Sequence, residues 1–139
     1  MALTADRPYE TSGRLDSLRV KSTTGVTYYK GGLLVWTAAG GLGVKPTDVV
    51  TQGALCGVVV QQKVSVSGDD LLEVEVGKVW IPFASAAQAD VGDYVYATDD
   101  STISKTATNS DPIGKAVDCR VGVALLVDLR LGITKTALV

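Results

Sequence analysis

The sequence predicts an all-β chain, a compact antiparallel β-sandwich or barrel with an extended N-terminal arm and at most one short helix. Three observations lead there. No stretch holds apolar residues at helical spacing over a long run, whereas alternation in steps of two recurs. Turn signals return about every eight to twelve residues, the rhythm of a sandwich or barrel. In the final strand, Val121, Val123, Leu125, Val127, Leu129 and Leu131 fall on one parity, and the other parity ends in Asp128 and Arg130.

The elements follow in order. Residues 1–20 are polar and charged, with Leu3, Tyr9, Leu15 and Leu18 as the large apolar groups. Such a segment buries too little surface to hold itself in place, so it reads as an extended arm pinned by a neighbouring chain. A single β domain over 21–131 and a C-terminal tail over 132–139 complete the expected organisation. Val20 to Tyr29 mixes Thr, Val and Tyr around Gly25, as strands about a turn do. Leu33 to Trp36 is a short buried strand, and the small residues of 38–43 form a loop. Ala54 to Gln62 is an apolar β run in which Gly57 marks a bulge or a close backbone approach.

Lys63 to Ser67 alternates strictly, and Gly68-Asp69-Asp70 is a turn. Leu72, Val74 and Val76 alternate with Glu73 and Glu75, and then Gly77 interrupts. The pattern predicts a bulge there that flips the face and turns Val79 and Ile81 inward. Pro82 ends the strand, and Ser85 to Ala89 suits one helical turn. Val91, Val95 and Ala97 alternate with Asp93, Tyr94 and Tyr96, so one face is small and apolar and the other carries two phenols. Asp99 to Thr102 is a turn, because Asp and Ser side chains cap local amides. Ile103 to Thr106 returns. Asn109 to Pro112 turns again, since proline pushes the preceding residue out of the helical region. Ile113 to Val117 is a short strand before the last one.

A length of 139 residues sets one domain as the prior. The net charge of −2 comes from scattered Lys, Arg, Asp and Glu, with no basic footprint for nucleic acid or anionic lipid. Apolar runs fall far short of the ~20 residues a membrane helix needs. Asp6, Arg7 and Glu10 interrupt any secretory leader, which places synthesis in a cytosol.

The absence of histidine removes Ser-His-Asp triads, Cys-His pairs and His-ligated metals. Cys56 and Cys119 sit in apolar strand settings without a paired-thiol motif, and read as buried thiols acting as small hydrophobes. Gly40 to Lys45 fails the spacing of both phosphate-loop patterns, so it reads as a loop. Asp69-Asp70 and Asp99-Asp100 lack the alternating carboxylates of a calcium loop and suit hairpin turns. No spacing singles out a pair of acids for glycoside hydrolysis. Trp36, Trp80, Tyr94 and Tyr96 suit a core or a subunit interface better than a carbohydrate platform. No cofactor and no metal are expected, and the functional part is a surface, not a pocket.

Leu-Cys-Gly-Val-Val-Val from Leu55, Val-Glu-Val-Gly-Lys-Val-Trp-Ile-Pro from Val74, Gly-Asp-Tyr-Val-Tyr from Gly92 and Pro-Ile-Gly-Lys-Ala-Val from Pro112 precede the final Val/Leu strand. In that order they resemble the small β-rich capsid decoration (cement) proteins of tailed bacteriophages, over a span from Gly53 to Leu131. The resemblance implies a non-enzymatic structural virion protein, made in the host cytoplasm, on the outer surface of the phage head. It implies homotrimers that bridge neighbouring major capsid subunits and resist internal pressure. The arm residues Leu3, Arg7, Tyr9, Arg14, Leu15 and Leu18 are then expected to touch capsid or subunit. Trp80, Tyr94 and Tyr96 are expected in subunit packing. Neither nucleic acid nor membrane is an expected partner. A different class, a carbohydrate- or receptor-binding module of a phage tail or fibre, would show Trp80, Tyr94 and Tyr96 exposed on one shallow face.

Overall fold

Leu71–Pro82 carries apolar side chains on even positions in its first half and on odd positions in its second. In the computed structural model, which describes residues 2–37, 41–47, 55–66, 70–106 and 111–131, this segment is a 12-residue strand in the middle of a sheet. The strands are β1 (Glu10–Lys21), β2 (Thr27–Tyr28), β3 (Leu33–Trp36), β4 (Gly43–Val44), β5 (Leu55–Val59), β6 (Lys63–Val64), β7 (Leu71–Pro82), β8 (Tyr94–Ala97), β9 (Ile103–Ser104), β10 (Gly114–Arg120) and β11 (Ala124–Asp128). Single 3-10 turns cover Gln88–Asp90 and Leu129–Leu131. The loop at 38–40, segment 48–54, turn residues 67–69 and 107–110, and the tail 132–139 lie outside the described residues.

One nine-stranded sheet runs β4-β3-β5-β7-β11-β10-β8-β9, with β1 also paired to β7, and a two-stranded ribbon joins β2 to β6. Every strand pair described is antiparallel. The sheet curls strongly into a half-barrel, so of the two expected architectures the barrel is the nearer.

The switch of parity along β7 has a different cause from the expected bulge. Val59 pairs with Val74 and Val58 with Glu75, so even residues of β7 share the face of Val59 and odd residues that of Val58. Leu72 and Val74 join Val59, Val20, Tyr28 and Leu34 in one cluster, whereas Val79 and Ile81 join Val58, Leu33, Val35, Leu125 and Val127 in another. The strand passes between two cores on opposite faces and keeps its own alternation. The irregularity falls on β1, where Gly13, Arg14 and Leu15 stand opposite Gly77 alone. A Cβ on Gly77 would lie 2.8 Å from Arg14 O and 2.6 Å from Leu15 Cδ2, so the glycine admits the bulged partner.

Gly57 behaves as the sequence indicates, on both counts. The β3–β5 register shifts beside it, its φ is +150°, and a Cβ there would meet Glu75 O at 2.6 Å. The side chain of Cys56 lies outside the described residues; Cys119 is a free, half-buried thiol packed against the cluster of Val79 and Ile81.

Residues 10–21 form a strand on the chain's own body. The expected boundary falls inside β1, which pairs with β7 from Glu10↔Trp80 to Lys21↔Leu71 on the chain's own body. Composition misled because the hold is mainly a main-chain ladder and polar contacts, with Val20, 1% exposed, as its fully buried apolar residue. The final strand is also shorter than its parity pattern. Arg120 pairs with Ala124, so Val121, Gly122 (φ +71°) and Val123 form the hairpin tip, with Val121 73% and Val123 60% exposed. At β6 and just after it, Val64 and Val66 face solvent while Ser65 is buried, its hydroxyl 2.7 Å from that of Ser22.

Gly57→Ala forces a side chain onto Glu75 O in a backbone region reserved for glycine, and is expected to cost about 1–3 kcal/mol, read as a lower urea midpoint. Deletion of residues 1–19 strips β7 of its β1 ladder. The truncated chain is expected to unfold at markedly lower urea than the full chain, and an unchanged midpoint would show that β1 adds nothing to the body.

Candidate functional site

The N-terminal residues are tied down by polar contacts that composition does not advertise. Leu3 N donates to Asp100 Oδ1 at 2.8 Å, and Arg7 N to Lys30 O at 3.0 Å. The Arg7 guanidinium donates to Gly31 O and to Ser101 O, both at 3.2 Å. Burial pushes the Arg7 guanidinium below its ordinary value, and the charges of Asp100 and Asp99 oppose that. Tyr9 OH donates to Glu75 Oε2 at 2.9 Å; burial first, and then this bond, raise the phenol well above its ordinary value. Leu3, Arg7 and Tyr9 are therefore spent largely on their own body. Leu15 is half-buried in the β1 bulge. Arg14 is exposed beside Asp16 at 3.8 Å, a pairing worth little in water. Leu18 is exposed on β1, which among the described residues is hydrogen-bonded as a strand to β7 alone.

The three aromatic residues expected in packing do not form a platform. Tyr96 is buried, at 8% exposure. Tyr94 is half-buried under Lys115, whose Nζ lies 5.0 Å from the ring centroid. Trp80 is half-buried under Arg120, whose guanidinium carbon lies 4.1 Å from the indole centroid. Arg120 reaches on to Glu10 with both terminal nitrogens, Nη1 at 3.2 Å from Oε1. Glu10 opens β1, Trp80 lies opposite it on β7, and Arg120 ends β10, so this stack ties three strands on the outer face. The hydrogen bond from Arg120 holds the Glu10 carboxyl below the usual carboxylate range.

Beyond Arg120 the exposed Val121–Val123 tip borders a shallow groove lined by Phe83, Ile103 and Val123. Arg120, Glu10 and the tip valines are surface residues that sequence reasoning missed. The available signal was Gly122 between two valines directly after Arg120, which marks a tight hairpin as readily as a strand.

The turn before β8 is set by Asp90. Its carboxylate is buried, accepts Ala87 N at 2.9 Å and pairs with Lys105, which also lies 3.9 Å from Asp93. The hydrogen bond from Lys105 leads in holding the Asp90 carboxyl below its ordinary value, and the same bond raises Lys105. Asp99 accepts Ser101 N at 2.8 Å and Thr102 N at 2.7 Å, as a turn carboxylate does. Among the described residues, no group of three or more His, Cys, Asp or Glu is placed to hold a metal ion.

The described body is a curled β-sheet that carries the Arg120–Trp80–Glu10 stack and an apolar hairpin tip on its surface. The chain belongs to the phage cement protein family, whose model matches residues 19–131. It is thus a structural protein of a phage virion. Among solved structures it is similar to one described as the head fiber gp8.5 N base in bacteriophage phi29, at 18% identity and a TM-score of 0.46, over 86% of this chain and 98% of that one. No curated protein matches the chain.

Asp90 has a lowered folded value, so its contribution to stability is full above the unfolded value of about 3.9 and disappears as pH falls through the folded one. Lys105 has a raised value, so its contribution is full below about 10.4 and is lost as pH rises through its folded value. Lys105→Met is expected to lower stability by a near-constant amount between about pH 5 and 9, and the gap from the parent should close below about pH 4. Urea midpoints across that range measure it.

Proposed function

We propose that the protein binds the outer surface of an assembled phage head and cements neighbouring major capsid subunits, acting as a homotrimer. The observation that carries this is the family match over most of the folded body. The physical logic is linkage. A protein that binds the assembled shell and not its parts stabilises the shell by an amount that grows with concentration and affinity. Repetition over a symmetric lattice multiplies weak contacts.

Two features of the fold support the role. β1 presents an edge to which a strand of another chain can add by main-chain hydrogen bonds, with Arg14 and Leu18 beside it. The bulge at Gly13–Leu15 interrupts that edge, a device that limits indiscriminate pairing between free copies. Leu3, Arg7, Tyr9 and Leu15 position the edge. Trp80 and Tyr94 remain proposed packing residues through their capped faces; Tyr96, at 8% exposure, offers little surface to a partner. The tail- or fibre-module reading needed three exposed aromatic residues on one face; the burial of Tyr96 removes its main support.

Added to heads that lack it, the protein is expected to co-sediment to saturation and to raise the temperature at which those heads release their DNA. It should sediment as a trimer, free or released from particles. Heads that stay bare at micromolar protein would overturn the proposal.

A further inference from the structure

At its N-terminal end β7 carries Leu71 and Glu73 on the same face as Glu75. Arg19 of β1 is the direct partner of Glu73, so it stands on that face at one edge of the strand. At the other edge Val60 N donates to Glu73 O at 3.1 Å, which brings the corner after β5, Gln61 to Lys63, alongside. Arg19, Gln61, Gln62, Lys63, Leu71 and Glu73, together with buried Leu72, line a cleft of about 310 Å³ here. That is the small end of the range for small-molecule sites, about 300–1,000 Å³.

The lining is chemically mixed, and little of it is spent within the chain. Arg19 and Glu73 are opposite charges on facing positions, yet among the described residues Arg19 and Lys63 form no ion pair. Neither glutamine side chain is hydrogen-bonded there. Glu73 accepts a long bond, 3.4 Å, from Ser17 Oγ. The neighbouring acids are engaged elsewhere: Glu75 accepts Tyr9 OH at 2.9 Å, and Asp70 accepts Val66 N at 2.7 Å.

A matching ligand carries a negative group for Arg19 and Lys63. It also offers groups that both donate and accept, because Glu73 and the amide oxygens accept while the amide nitrogens donate. It presents an apolar face to Leu71, which is 46% exposed. A sugar acid, a pyranose ring bearing a carboxylate, has all three attributes. An extended acidic peptide fits less well. Such peptides draw affinity from main-chain hydrogen bonds, and Glu73 is already paired along both edges.

We propose that this cleft binds a hexuronate unit, free or within a polysaccharide. Its carboxylate lies on Arg19 and Lys63, and its hydroxyls on Gln61, Gln62 and Glu73. The assignment is separate from head binding and uses none of the aromatic residues weighed for a fibre module.

The test is titration of the full-length protein with galacturonate and with its linear trimer. The NMR signals of the Gln61 and Gln62 side-chain amides and of the Glu73 backbone amide report binding. They are expected to move and to saturate at about 1–10 mM. A trimer that binds more tightly than the monomer points to a polymer as the source, and equal affinities point to the free sugar acid. Glucose, which lacks the charge, and glutarate, which lacks the hydroxyls, are expected to bind about tenfold or more weakly. Arg19→Gln, and Gln61→Ala with Gln62→Ala, should each weaken galacturonate about tenfold, read at the Glu73 amide. Lys78→Gln, on the opposite face of β7, should bind as the parent does. Glutarate that matches galacturonate would show an adventitious anion only, and a tetraglutamate peptide that binds more tightly would show a peptide site. Either result, parent-like binding by both variants, or signals that stay still at about 50 mM sugar acid overturns the assignment and leaves the cement reading standing.

Discussion

The structure depends on β7 being hydrogen-bonded along both edges while it divides two cores. Residues 74 and 75 pair with both β1 and β5, and residues 78 to 80 with both β1 and β11. A strand satisfied on both edges has no main-chain groups left for water, and its side chains can be apolar on either face. Leu72 and Val74 use one face and Val79 and Ile81 the other, with all four at most 2% exposed. The sheet can curl because the bulge on β1 and the two bare glycines, Gly57 and Gly77, absorb the close approaches that curling produces. A side chain at either glycine would press against partner backbone.

Much of this was legible in the sequence. The all-β class, the extent of β7 up to Pro82, the inward turn of Val79 and Ile81, the role of Gly57 and the turn at Asp99 all followed from periodicity and turn chemistry. What was misread shares a cause, because composition reports side chains while main-chain pairing decides position. Residues 10–21 look too polar to stay put, yet a ladder to β7 holds them. Val121 and Val123 fit the parity of the strand that follows, yet Gly122 closes a hairpin there. Tyr94 and Tyr96 share a parity on β8, but Tyr96 is 8% exposed whereas Tyr94 is half-buried under Lys115.

The candidate site was legible in part. Trp80 stood out from the sequence, but its partner did not, because Arg120 is forty positions away and meets it through the pairing of β7 with β11 and of β11 with β10. A guanidinium over an indole, fixed at its other end by a carboxylate, is a preorganised group: its rotamer freedom is already lost before any partner arrives, so less is lost on association. That distinguishes it from the exposed Arg14–Asp16 pair, which no aromatic ring holds in place.

The bond from Leu3 to Asp100 joins positions 97 apart in the chain. The seat of Leu3 is therefore incomplete until residue 100 is in place, whereas Arg7 meets Lys30 and Gly31 much nearer in the chain. Chains closed by contacts this distant fold slowly for their size. The Leu3 contact is then the later of two N-terminal closures, since β7, the partner of β1, precedes Asp100 in the chain.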